Sequence, residues 1–214
     1  MRFLFAAVLV LCCGLSLAET GTLKSLTAKQ AAELVAKHKE YYLYLNGLTS
    51  IDKEVAQELA KTKGWLILKG LTSIDKDVAQ ELATFEGTQL FLNGLTSIDK
   101  DVAHELAKVK RNLFLNGLTS IDKDVAQELA KFEGVTLYLD GLTSIDKDVA
   151  QELVKVKGNL SLIRLTSIDK DVAQALAKFQ GYNLTFLGLT SVDKDVLEIL
   201  KSNPSIRLPK KYRD

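Results

Sequence analysis

The chain has 214 residues, 47% of them hydrophobic, with 28 Lys and Arg against 27 Asp and Glu and a formal net charge of +1. That balance, with no basic patch outside the terminal "PKKYRD", argues against a nucleic-acid partner. Its two cysteines, Cys12 and Cys13, sit together near the start, so the rest of the chain holds no disulfide, thiol nucleophile or thiolate metal site.

The opening "MRFLFAAVLVLCCGLSLAET" reads as a secretory signal peptide over residues 1–18. Arg2 supplies the positive start, Phe3 to Leu15 the apolar stretch, and Ser16 and Ala18 the small residues before a cleavage point at Glu19. The apolar run is shorter than the roughly 20 residues a membrane helix needs. The residues before the cysteines, Leu11 and Cys12, are not the Gly or Ala that lipid attachment favours. With the leader and its Arg2 removed, basic and acidic side chains balance. Residues 19–214 are expected to form one domain, large enough to be stable through its core alone. It has no membrane span after cleavage and is destined for secretion, the periplasm or the cell surface.

Next comes "SLTAKQAAELVAKHKE", expected to be a capping helix at about 26–40, with Thr27 and Gln30 spaced as a capping box. Then "LTS" recurs at Leu48, Leu71, Leu95, Leu118, Leu142, Leu165 and Leu189, at spacings that alternate between 23 and 24 residues. A fixed period of that size with leucines at set positions means a solenoid. In one copy, Leu113-Phe114-Leu115 alternates as a strand with both leucines inward. Asn116-Gly117 turns the chain, and Leu118 and Ile121 point inward again. Asp122 caps a helix expected to run to about Phe132, with Gly134 breaking it. Val125, Ala126, Leu129 and Phe132 form the apolar stripe, while Lys123, Asp124, Gln127, Glu128 and Lys131 fall on the wet side. The same Asp recurs as Asp52, Asp75, Asp99, Asp146, Asp169 and Asp193. Copies with the longer spacing carry Phe85, Phe132 or Phe179 where the others carry Thr62, Val109 or Val156. A bulkier residue thus goes with a longer loop, as if a two-copy unit of 47 residues had been duplicated. The chain ends in a cap at about 202–214, with a short strand near Ile206–Leu208 fenced by Pro204 and Pro209.

The pattern L-x-L-x-G-L-T-S-I-D-x-x-V-A-x-x-L-A resembles bacterial leucine-rich repeats, most closely the BspA-like class, over roughly residues 26–208. Asp-Lys-Asp stands where that class has Gly. The resemblance implies an α/β solenoid, a right-handed coil with parallel strands on one face and short helices on the other. It also implies a secreted or surface protein that binds other proteins, without catalytic residues or cofactor.

With the strand leucines inward, Tyr42, Tyr44, Trp65, Ile67, Phe91, Phe114 and Tyr138 face outward as an apolar, aromatic stripe beside polar columns. Such a stripe reads either as a partner-binding surface or as a self-stacking ladder that stabilises the sheet; both can hold. The acid pairs such as Asp122 and Asp124 invite a calcium reading, but capping explains the first acid, and Lys123 between them repels a cation. The Thr-Ser columns suggest ice binding only loosely, because turn hydroxyls commonly satisfy backbone groups. His38 and His104 read as solvated helix residues, too few for a metal triad. Asn183-Leu184-Thr185 matches a glycosylation acceptor. Arg164 replaces the turn glycine of every other copy. If that turn needs a positive φ, either the coil turns differently or Arg164 is kept for a contact.

Overall fold

The computed structural model describes residues 21–37 and 42–213; the expected signal peptide at 1–18 and His38 lie outside them. In chain order the elements are α1 (Ala28–Lys37), β1 (Tyr42–Tyr44), α2 (Lys53–Leu59), β2 (Trp65–Ile67), α3 (Lys76–Ala83), β3 (Gln89–Phe91), α4 (Lys100–Leu106) and β4 (Asn112–Phe114). There follow α5 (Lys123–Leu129), β5 (Thr136–Tyr138), α6 (Lys147–Leu153), β6 (Asn159–Ser161), α7 (Lys170–Leu176), β7 (Leu184–Thr185), α8 (Lys194–Lys201), β8 (Ile206–Arg207) and a 3-10 turn at Lys210–Tyr212. The strands form one parallel sheet in the order β1 to β8, each coil pairing only with its neighbours. This is an α/β solenoid with strands on one face and helices on the other.

The core repeats with the sequence. Leu66, Leu90, Leu113 and Leu137, one per strand, are fully buried, as are Leu68, Leu92, Leu115 and Leu139 just after them. Leu48, Leu71, Leu95, Leu118 and Leu142 close the turn side, and Val125, Ala126 and Leu129 with their counterparts close the helix side. Each layer therefore buries its apolar face only against the coils above and below it.

The helices start where the Asp column predicts. The backbone N–H of Val125 donates to Asp122 Oδ1 at 2.8 Å, and the same 2.8 Å bond joins Val55, Val78, Val102, Val149 and Val172 to their Asp residues. Asp193 is the exception and makes no side-chain cap bond. The helix ends differ from expectation. α5 stops at Leu129, and the chain tightens through Lys131 N–H to Glu128 O and Phe132 N–H to Leu129 O. It is this i to i+3 turn, and not Gly134, that ends the helix. Phe132 nonetheless packs inward and is 3% exposed. A second correction concerns Glu128. Glu105, Glu128 and Glu152 are buried, not on the wet side, because the helices of adjacent coils stack over them.

The turn glycines also need a new reason. None of them has a positive φ. A Cβ on Gly117 would lie 2.4 Å from the carbonyl oxygens of both Asn93 and Leu95 in the previous coil, so close coil-to-coil approach demands the glycine. Gly134 serves the longer loop: a Cβ there would meet the tip of the Phe132 ring at 2.4 Å. At Arg164 the turn itself is kept: Leu165 N–H bonds Leu162 O at 3.3 Å, as Leu118 N–H bonds Leu115 O at 3.1 Å. The Arg164 side chain is exposed and makes no bond among the described residues. Past it, β7 shortens to two residues and Thr190 N–H bonds Thr166 O at 3.0 Å, a link that the earlier turns lack.

Candidate partner-binding face

The parallel register sets Tyr44, Ile67, Phe91, Phe114, Tyr138, Ser161, Thr185 and Arg207 in one column on the outer face of the sheet. Tyr42 and Trp65 begin the column beside it, followed by Gln89 and Asn112. The rings touch in a continuous row. Tyr42 meets Trp65 edge-on at 4.7 Å, Trp65 meets Phe91 at 5.6 Å, Phe91 stacks on Phe114 at 4.1 Å, and Phe114 on Tyr138 at 4.0 Å and 5°. Coils stacked about 4.8 Å apart bring parallel rings into such contact only if the rings stand on edge to the sheet. Phe114, stacked on both sides, spends its faces on Phe91 and Tyr138 and shows its rim to the outside, while Trp65 meets its neighbours edge-on and tilted. The ladder is therefore present, and it is what holds the exposed rims in line.

Six of the seven stripe residues reach the surface. Tyr42 and Tyr44 are exposed, and Trp65, Phe91, Phe114 and Tyr138 are half-buried. Ile67 is not part of that surface: it is only 4% exposed, a short side chain set in register between Tyr44 and Phe91. The aromatic row ends at Tyr138, beyond which Ser161 and Thr185 continue the column.

The polar columns carry a second ladder, which the sequence reading missed. Asn46 Oδ1 accepts from Lys69 N–H, Asn93 Oδ1 from Asn116 N–H, Asn116 Oδ1 from Asp140 N–H, and Asp140 Oδ1 from Ile163 N–H, at 3.0–3.3 Å. Each of these side chains ties its coil to the next where the strand has ended. The recurrence of Asn or Asp immediately before the turn glycine was the available signal. On the other side of the row, Asn183 donates to Asn159 Oδ1 at 2.8 Å and accepts from Arg207 Nε at 2.9 Å. The candidate glycosylation residue is thus already held by two neighbours. Asn112 Oδ1 is covered and has no hydrogen-bond partner.

The helix side is charged and internally paired. Lys76, Lys100, Lys123, Lys147 and Lys170 each reach the second acid of the following coil, at 3.1–3.9 Å. The cap acids of α2 to α7 are held by backbone N–H groups, and the second acids from Asp101 to Asp195 by lysines. Among the described residues no group of three or more His, Cys, Asp or Glu is placed to hold a metal ion. His104 is more than a solvated residue: its Nδ1 lies 2.8 Å from Glu128 Oε2 in the next helix. Lys131 first, and then His104, hold the Glu128 carboxyl below its ordinary range against the opposing effect of burial. The Thr and Ser columns also depart from expectation. They are exposed from Thr49 and Ser50 onward, and among the described Thr of this column only Thr190 turns its hydroxyl to a backbone carbonyl.

This architecture is that of a leucine-rich-repeat-like α/β solenoid. Among solved structures, the chain is similar to one in the complex of Toll with Spatzle from Drosophila, at 12% identity and a TM-score of 0.53, over 87% of this chain and 26% of that one. It is also similar to an internalin from Listeria monocytogenes, at 15% identity and 0.47, over 86% of this chain and 56% of that one. A chain in the yeast Rad7 and Elc1 complex gives 17% and 0.46, over 90% and 56%. The chain thus spans well under two thirds of each. Neither a protein-family model nor a curated protein matches it. No helix among the described residues is long and apolar enough to cross a membrane.

Proposed function

We propose that the protein is a non-enzymatic protein-binding module, secreted or held at the cell envelope, that engages its partner through the outer sheet face over β1 to β5. The observation that carries this reading is the row of ring rims from Tyr42 to Tyr138, lined up along five coils on a face with few charges. The opposite face is charged, and lysines there pair with acids of the following coil from Lys76 to Lys170, so the two faces differ in what they offer. Aligned aromatic rims with amides alongside are the chemistry of an interface core and its polar rim. Extracellular destination rests on the leader-like first 18 residues. We extend the same reading to residues 19–214 as a single solenoid domain of the BspA-like kind. The neighbouring complex of Toll with Spatzle shows that a protein of this fold is found bound to another protein.

A second reading has its own observation. The stacked rings stabilise one another, so the row also suits a structural or adhesive protein with no discrete partner site. One experiment separates the two. Tyr44, Trp65, Phe91 and Phe114 are truncated together to Ala, and crosslinked partners are recovered from the native extracellular fraction. The binding reading expects a specific partner with the wild type that is lost with a variant still folded by circular dichroism. Unchanged recovery of the same partner would reject the stripe as the site.

A further inference from the structure

On the rim where each coil enters its strand, the duplicated unit leaves an alternating column: Lys63, Glu86, Lys110, Glu133, Lys157, Gln180. Lys63 pairs with Glu86 and Lys110 with Glu133, each across 23 residues. The third pair is broken, because Gln180 stands where the other units have Glu. Its backbone still occupies the equivalent place: Gln180 N–H bonds Val154 O, as Glu86 N–H bonds Ala60 O and Glu133 N–H bonds Ala107 O. Lys157 therefore has no carboxylate partner among the described residues.

Beside that lysine lies a notch of 580 Å³ lined by Phe132, Glu133, Gly134, Lys157, Gly158 and Tyr182, with Ala130 and Lys131 completing it. At its floor the coils approach closely, since a Cβ on Gly158 would lie 2.9 Å from the carbonyl oxygens of Gly134 and Val135. Tyr182 stands at the edge, 76% exposed. The other charges in the notch are committed, Lys131 to Glu128 at 2.6 Å and Glu133 to Lys110. One unpaired cation thus faces a half-open, partly aromatic recess.

We propose that this notch is an anion-binding site that takes a carboxylate on an apolar stem, with the Lys157 ammonium on the carboxylate and the Tyr182 ring against the stem. This goes beyond the sheet-face reading and does not rest on it. A protein side chain and a small organic acid share that chemistry, so the test uses two probes. The full chain is labelled with 15N and titrated separately with benzoate and with a glutamate-rich peptide. Saturable shifts at Gly134, Gly158 and Tyr182 are expected with at least one probe; benzoate alone marks a small acid, and the peptide marks a protein source. The deciding variant is Gln180→Glu, which restores the pair found in the other two units and so should not disturb the fold. It should weaken binding about tenfold, as should Lys157→Met, through loss of one charge-assisted contact. No saturable shift with either probe, or binding unchanged in Gln180→Glu, would overturn the proposal.

Discussion

Thr62 buries a hydroxyl that finds no partner: the residue is 3% exposed and its Oγ1 makes no hydrogen bond. Val109 and Val156 hold the same place in later coils. Thr62→Val should raise unfolding free energy by about 1 kcal/mol in urea titration, and a lowered midpoint would contradict the assignment. The caps offer a paired contrast. Asp122→Ala should cost about 1 kcal/mol, while Asp193→Ala should cost much less, because Asp193 makes no side-chain cap bond. Equilibrium unfolding of the two variants checks this directly. The Asp column was legible because one residue type precedes every helix from α2 to α8 at the same offset. The exception at Asp193 was not, since Asp193 keeps the same letter and offset, and only Val192 and Leu197 around it depart from the Ile and Ala of the other copies. Glycine was legible as a turn, but its reason was hidden. Nothing in the letters "NGL" tells a positive φ from a carbonyl 2.4 Å away in another coil.

Between elements, loop length and side-chain bulk behave as one unit. Phe132 is 3% exposed, and its ring tip lies against Gly134 in the longer loop. Phe132→Val without shortening that loop should leave a cavity costing about 1–3 kcal/mol, read as a lower melting temperature; an unchanged melt would reject the packing argument. The α4–α5 contact carries a pH dependence. Glu128 has a folded pKa below its unfolded value, held down by Lys131 and His104. Its contribution is therefore fully present above the unfolded value and lost as pH falls through the folded one. His104→Gln, the residue found at Gln127 and Gln151, removes one of its two contacts. Acid unfolding of that variant should begin at higher pH than in the wild type, and a shift the other way would contradict the pairing. Helical periodicity misplaced Glu128 because it treats a helix as half in water, whereas a stacked helix is covered along both flanks. The phenylalanine alternation was readable because spacing and residue size change together.

At the scale of the whole molecule, the solenoid was legible almost entirely, because the 23/24 period states both the coil and its repetition. The outward columns were legible too, since strand alternation and parallel register leave one choice of face. What could not be read was how the columns bind themselves together: the Asn and Asp side chains that accept backbone N–H groups from the following coil, and the rings turned on edge by their own contacts. Both arise only when copies stack, and no single copy contains them. They turn seven similar segments into one rigid strip, and they decide which atoms that strip presents. The sole tryptophan, Trp65, stands within the row, between Tyr42 and Phe91. Its fluorescence, recorded while the crosslinked partner is titrated back onto the full chain, tests the sheet-face account most directly. The account predicts a saturable blue shift of Trp65 emission that tracks complex formation. Complex formation at full occupancy with Trp65 emission unmoved would contradict it.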